Sequence, residues 1–239
     1  KKKRSKTQYK NKGSHFDNWK DPVKRKEIIE YAKKLRKTDN PTNDDLRASM
    51  QFKYGSINQF RPIVAKYIYK EFKPKRILDF SAGWGGRLLA AMSLDIDYIG
   101  IDSNKSLKSS YDRMIKDLPS ESKIKMIYDY SENVDFSKLP EYDLIFTSPP
   151  YGDLEKYQGM KNYNSFIDEF FKPVLKKSFA SLKEGGYMVL NIPDFMYDTL
   201  KELKICDGRI NKIKMRIANR FNDGVEKYEF IYVCKKKSV

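Results

Sequence analysis

Ile77-Leu78-Asp79-Phe80-Ser81-Ala82-Gly83-Trp84-Gly85-Gly86-Arg87-Leu88 reads as a strand, a glycine-rich turn and the start of a helix. Gly83 and Gly85 let the backbone approach a ligand closely, and the helix start behind them offers unpaired N–H groups. Asp102 ends the next apolar run, seventeen residues after Gly85. A carboxylate there can take two ribose hydroxyls. A dinucleotide fingerprint needs a third glycine at position 88, which is Leu88 here, and this weakens a nicotinamide reading. Asp79, ahead of the glycines, suits a cationic ligand better than a pyrophosphate. Asp129 closes a third run, Met126-Ile127-Tyr128.

Outward from this stretch the chain alternates helices with short apolar strands. The pattern predicts strands at Arg76–Phe80, Tyr98–Asp102, Ile124–Tyr128, Leu144–Ser148 and Tyr187–Ile192. Helices are expected at Pro62–Phe72 and at about 86–93, 104–116 and 165–182. Such alternation implies a parallel sheet covered on both faces. Two further alternating segments, Ile210–Asn219 and Lys227–Lys235, flank Asn222-Asp223-Gly224, a hairpin signal, so the sheet is expected to finish antiparallel.

The fourth strand ends in Ser148-Pro149-Pro150-Tyr151. The prolines fix φ and cannot continue a ladder, so the chain leaves the sheet stiffly there. Carbonyls without a ladder partner and the Ser148 hydroxyl can accept from an amino group, and Tyr151 offers a stacking face. Asp79, Asp102, Asp129 and Ser148 all fall at carboxyl ends of strands, where open α/β sheets bind ligands.

Charge is unevenly spread over the 239 residues. Residues 1–75 carry 22 Lys/Arg against 8 Asp/Glu, a net of +14; residues 76–200 carry 15 against 19, a net of −4; residues 201–239 carry 11 against 5, a net of +6. Basic flanks around an acidic centre suit a polyanion such as nucleic acid. No run approaches the roughly 18 apolar residues of a membrane helix, and nothing resembles a signal peptide. Cys206 and Cys234 lack CxxC spacing, and His15 is the one histidine, so a reduced, metal-free, intracellular protein is expected.

At the N-terminus a polar arm is expected to stay without structure to about residue 18, opening with Lys1-Lys2-Lys3-Arg4. A basic helical extension over 19–57 follows. Asp21 caps a helix with Pro22 in its first turn and Ile28, Ile29, Ala32 and Leu35 on one face. Thr42-Asn43-Asp44-Asp45 starts a second helix that Tyr54-Gly55 ends. Residues 58–239 form the main domain. The chain ends soon after the hairpin, which leaves no long recognition domain and predicts little reading of target sequence.

Taken in order, these motifs resemble the S-adenosylmethionine-dependent amino-methyltransferases that modify nucleic acids. The likeness covers about residues 58–235. Asp79–Arg87 is similar to the family's cofactor motif, with Asp79, Ser81, Ala82, Gly83 and Gly85 as cofactor-binding residues. Asp102 matches the ribose acid, Asp129 the contact to the adenine amino group, and Phe60-Arg61-Pro62 the segment closing over the methionine end. Ser148, Pro149, Pro150 and Tyr151 match the catalytic motif, and Gly185-Gly186 the turn into the fifth strand.

The resemblance implies an α/β, Rossmann-like class I methyltransferase fold: a mostly parallel seven-stranded sheet ending in an antiparallel hairpin. It implies S-adenosylmethionine as cofactor, no metal, and base flipping onto Tyr151. Methyl transfer to a base amino group in DNA is the leading reading. In the family a serine at position 148 is commoner among cytosine-N4 enzymes. Adenine N6, or an RNA base, is the alternative; a catalytically inert nucleic-acid-binding module and an NAD-dependent oxidoreductase are more distant ones. Neither cysteine follows a proline, which disfavours carbon-5 methylation of cytosine.

Overall fold

The computed structural model describes residues 8–9, 12–55, 59–150, 155–156, 166–206, 210–217 and 227–238. Along the chain run β1 (Gln8–Tyr9), α1 (His15–Lys20), α2 (Pro22–Arg36), α3 (Asn43–Tyr54), α4 (Pro62–Phe72), β2 (Arg76–Asp79), α5 (Gly86–Met92), β3 (Asp97–Ile101) and α6 (Lys108–Asp117). Then come β4 (Ile124–Ile127), β5 (Leu144–Thr147), β6 (Glu155–Lys156), α7 (Lys172–Ala180), β7 (Tyr187–Asn191), α8 (Asp194–Glu202), β8 (Ile210–Ile217) and β9 (Lys227–Lys235).

β1, α1, α2, α3 and β6 make one compact unit; the elements from α4 onward, apart from β6, make a second. In the first unit β1 pairs antiparallel with β6. Asp21 caps α2 by accepting from the Val23 and Lys24 N–H groups. Thr42 and Asp45 form a reciprocal capping box on α3. Ile28 and Ala32 are fully buried, whereas Leu35, expected on the same face, is 51% exposed. It sits in the last turn of α2, just before the left-handed Lys37 cap, where the helix is ending. The polar stretch expected to lack structure to about residue 18 instead carries β1 and enters α1 at His15. Two polar contacts order it: Ser14 accepts from the Asp17 N–H, and buried Asn18 donates to the Lys12 carbonyl.

The second unit is built on a seven-stranded sheet of order β4-β3-β2-β5-β7-β9-β8. The first five are mutually parallel; β9 runs antiparallel to β7 and to β8. This is the doubly wound, hairpin-terminated α/β fold the pattern predicts. The chain works outward from β2 to β4 and returns on the other side at β5, so the strand order reverses between β2 and β5. A crevice at the carboxyl ends is expected at such a reversal. The hairpin tip, including Asn222-Asp223-Gly224, lies outside the described residues.

Strand alternation sends Leu78, Phe80, Ile99, Ile101, Ile145, Met188 and Leu190 to one face, beneath α7 and α8. Ile77, Tyr98, Leu144, Phe146 and Val189 go to the other, beneath α4 and α5. Each fully buried Leu, Ile or Phe in these layers contributes about 1.5–3 kcal/mol. The helix expected over 165–182 opens as a wide π turn at Phe166–Phe171 before α7. Pro173, which has no N–H to give, stands at the change of pitch. The helix α8 has no counterpart in the sequence reading.

Cys206 and Cys234, expected as free thiols, form a disulfide with 5.3 Å between their Cα atoms. Twenty-eight residues separate them in sequence, and only the return of β9 beside β7 brings Cys234 back against the segment after α8. Among the described residues no helix is long and apolar enough to cross a membrane, and no group of three or more His, Cys, Asp or Glu is placed to hold a metal.

Candidate active site

At the end of β2 the chain enters the turn Ser81–Gly85, and Gly85 adopts φ 77° as it leads into α5. A side chain there would be strained by that φ and would collide with Met114. The next residue, Gly86, lies so close to the Phe60 carbonyl that a Cβ would stand 2.2 Å from its oxygen. Phe60 is thereby seated against the turn, its ring edge-on to Phe146 at 5.5 Å. Pro62 follows as the first residue of α4.

Asp102, one residue past β3, accepts the Gly83 N–H at 2.7 Å and the Asn104 N–H at 2.8 Å. These bonds fix both carboxylate oxygens beside the glycine turn. Burial pushes its pKa up to about 6, against the two N–H bonds that favour the charged form. The Tyr111 hydroxyl donates to the Gly83 carbonyl and braces the turn from behind. Ala82 is buried, its N–H given to the Ile101 carbonyl, and Ser81 is half-buried. Asp129 is exposed beyond β4 and accepts from the Tyr130 N–H and the Asn133 amide.

Asp79 behaves differently from its expected role. It is fully buried and does not face outward to a cationic ligand. The Arg87 Nε donates to it at 2.6 Å, the Tyr98 hydroxyl at 2.5 Å, the Thr147 hydroxyl at 2.9 Å and the Ser81 N–H at 3.2 Å. The cation it attracts is the protein's own. Arg87 is equally buried, donates also to the Ser81 carbonyl, and lies 5.1 Å from the Phe60 ring centroid. Burial and Asp79's charge hold the Tyr98 hydroxyl well above its ordinary pKa.

On the far side of β2, Thr147 ends β5 and Ser148 follows. Thr147 lies beside Leu190 of β7, so Ser148 falls next to Asn191, the last residue of that strand. The Ser148 hydroxyl donates to the Asn191 carbonyl oxygen at 3.2 Å. Asn191 is 4% exposed. Pro149 is buried and Pro150 half-buried; Tyr151, expected as the stacking face, lies outside the described residues.

The turn, Phe60, Asp102 and Ser148 thus share one end of the sheet, with Ser148 one strand from the glycine turn and two from Asp102. Residues 142–239 match the family model of the N6/N4 DNA methylases, and this span begins at β5 and contains Ser148 and Asn191. Over this span, less than half of the chain, the sequence is similar to the amino-methyltransferase family. S-adenosylmethionine is the cofactor of such enzymes, and the turn and Asp102 are suited to it.

No curated protein matches the methyltransferase in sequence. Among solved structures it resembles an rRNA methylase from Streptococcus thermophilus, at 16% identity over 76% of this chain and 100% of that one, TM-score 0.51. A methyltransferase from Pyrococcus furiosus aligns at 19% identity over 90% of this chain and 98% of that one, TM-score 0.51. A precorrin-6y C5,15-methyltransferase from Geobacter metallireducens aligns at 13% over 73% and 88%, TM-score 0.51. At these identities the likeness is one of fold.

Sequence reasoning alone does not name Asn191 or Ser131, whose buried hydroxyl donates to the Phe80 carbonyl at 2.6 Å, and it takes Thr147 only as the start of the Thr147–Tyr151 motif stretch, without its bond to Asp79. A signal for Asn191 exists: it is a polar residue closing an apolar run, as Asp102 and Ser148 do.

Proposed function

We propose that this methyltransferase methylates the exocyclic amino nitrogen of a base in DNA, cytosine N4 foremost. The observation that carries the reading is the Ser148–Asn191 hydrogen bond at the carboxyl edge of β5 and β7. A serine whose proton is committed to Asn191 presents oxygen lone pairs, which accept from an amino group. That group is a poor nucleophile because its lone pair is delocalised into the ring. Two acceptors, the Ser148 hydroxyl and the Pro149 carbonyl, favour the pyramidal nitrogen that can react. Positioning and electrostatics then supply the rate, without a covalent nucleophile.

S-adenosylmethionine, when bound, supplies a methyl group on a cationic sulfur as the electrophile. Asp102 would take its ribose hydroxyls, the Ser81–Gly85 turn would lie along it, and Asp129 would meet its adenine amino group. Phe60 and Pro62 would close the methionine end. Asp79 and Arg87 act indirectly, holding the turn. The basic flanks of the sequence favour a polyanionic substrate.

Nucleoside mass spectrometry after incubation with deuterated S-adenosylmethionine, with DNA and RNA in parallel, tests the reading. The expected product is labelled N4-methyldeoxycytidine. Label in adenine would displace the base assignment, and label in ribonucleosides alone would displace the polymer. A Ser148→Ala, Tyr151→Ala double variant should lose transfer while retaining cofactor binding by calorimetry.

A further inference from the structure

The hairpin β8–β9 is longer than the strand it pairs with. Asn191, the last residue of β7, is opposite Ile231, which in turn is opposite Ile213. Residues 227–230 of β9 and 214–217 of β8 therefore continue past the carboxyl edge of the sheet as a two-stranded ribbon. Four residues at about 3.3 Å each give an overhang of about 13 Å. It leaves the sheet at the end that carries Ser148, two strand spacings, or about 10 Å, to one side.

One face of the hairpin, running from its last rung inside the sheet at Lys212 and Tyr232 out onto this ribbon, sets cations beside aromatic rings. The register sets Lys212 opposite Tyr232 and Lys214 opposite Phe230, with Tyr228 two residues beyond. Lys214 Nζ lies 3.6 Å from the Tyr228 ring centroid. Lys212 Nζ lies 4.4 Å from Tyr197, 5.2 Å from Tyr232 and 5.4 Å from Phe230. Tyr197 of α8 and Tyr232 are themselves stacked at 4.5 Å. Both lysines are exposed. Among the described residues neither has a carboxylate within ion-pair reach, whereas Lys201, also over Tyr197, is paired with Asp198. A ring face orients an ammonium group without cancelling its charge.

We propose that the β8–β9 ribbon is a docking surface for an unpaired nucleic-acid strand, the stretch flanking the base that enters the site. Lys212 and Lys214 meet its phosphates, and Tyr228 and Phe230 offer ring faces to its bases. This rests on the nucleic-acid reading above and adds to it where the strand lies. Lysines on an edge strand also deter edge-to-edge pairing. That role needs charge alone; it requires neither a ring beside each lysine nor the projection of Lys214 beyond the sheet on the reactive side.

Fluorescence anisotropy with a labelled 16-nucleotide single-stranded DNA tests the ribbon, comparing the wild type with Lys212→Gln/Lys214→Gln and, separately, Tyr228→Leu. Two lost phosphate contacts at about 0.7 each should lower the salt slope by about 1.4, or roughly 25-fold in affinity at 0.1 M relative to 1 M salt. Tyr228→Leu should weaken binding several-fold with the slope unchanged. Cofactor binding by calorimetry should be unaffected in both variants. Unchanged strand binding in both variants of an enzyme that still methylates nucleic acid would overturn the ribbon and leave the function standing. A wild type that neither binds nor methylates any polynucleotide would overturn the function and the ribbon with it. Lysine-dependent binding stronger for duplex than for single strand would replace the unpaired strand by a major-groove occupant.

Discussion

Thr147 donates its hydroxyl to the buried carboxylate of Asp79 at 2.9 Å, across 68 residues of sequence. Thr147 is the residue immediately before Ser148, and Asp79 is the residue from which the glycine turn starts. One hydrogen bond therefore ties the proposed cofactor side of the site to the proposed acceptor side. Arg87 and Tyr98 complete the knot, so α5 and β3 are tied to it as well.

Because the knot is buried and ionic, breaking it from one side should be costly. Thr147→Val keeps the shape and removes one bond to a charged group, which should cost about 1.5–3 kcal/mol. Asp79→Asn leaves Arg87 buried without its counter-charge and should cost more, about 3–5 kcal/mol. Urea unfolding with m-values compared gives both numbers. A reversed order would contradict the placement of Asp79 at the centre.

The pH dependence of cofactor binding should follow Asp102. Its pKa is raised from 3.8 to about 6, chiefly by burial. A raised carboxyl contributes stability below its unfolded value near 4 and loses that contribution as pH rises through about 6. The ionised form is the better acceptor for ribose hydroxyls, so cofactor affinity should move the opposite way and strengthen as pH rises through 6. Calorimetric titration should show binding up to about tenfold weaker per pH unit below that point. Asp102→Asn should bind weakly at every pH and, without cofactor, be more stable than the wild type at pH 8 but not at pH 4. A pH-independent affinity in the wild type would remove Asp102 from the ribose site.

The parts of this site that were legible in the sequence are those with local causes. Apolar runs stop at Asp102 and Ser148 because a strand leaving the sheet needs a polar or stiff residue there. Gly85 and Gly86 follow from a turn that one φ and one close contact impose. The direction in which Asp79 faces was not legible, since it depends on Arg87, Tyr98 and Thr147, which only the closed sheet brings together. The hairpin was legible by its alternation, but its overhang depends on the register against β7. The helix α8 begins at Asp194 behind Pro193, which has no side-chain group to cap it, and so lacks the usual capping signal.

The disulfide should matter for stability. Cys206 and Cys234 close a loop of 28 residues, for which loop-closure entropy predicts about 3–4 kcal/mol. Thiol titration of the unfolded, unreduced protein should find no free thiol, and a reductant should lower the denaturation midpoint of the wild type. Cys206→Ser should start at the lower midpoint and show no response to reductant. Two titratable thiols in the unreduced protein would show the bond to be unformed.

Asn191 should act on the reaction through Ser148. Its carbonyl oxygen takes the serine proton, which leaves lone pairs for the substrate amine. Asn191→Ala removes that acceptor and frees the hydroxyl to rotate, a misplacement worth on the order of 10- to 100-fold in kcat. Asn191→Asp keeps an acceptor at the same position and should recover much of the loss. Cofactor affinity should be equal in both, since Asn191 is two strands from the glycine turn. A purely structural asparagine would lower stability and cofactor binding together, with Asp no better than Ala. Single-turnover methylation alongside cofactor calorimetry separates the two, and equal kcat in the wild type and Asn191→Ala would end the assignment.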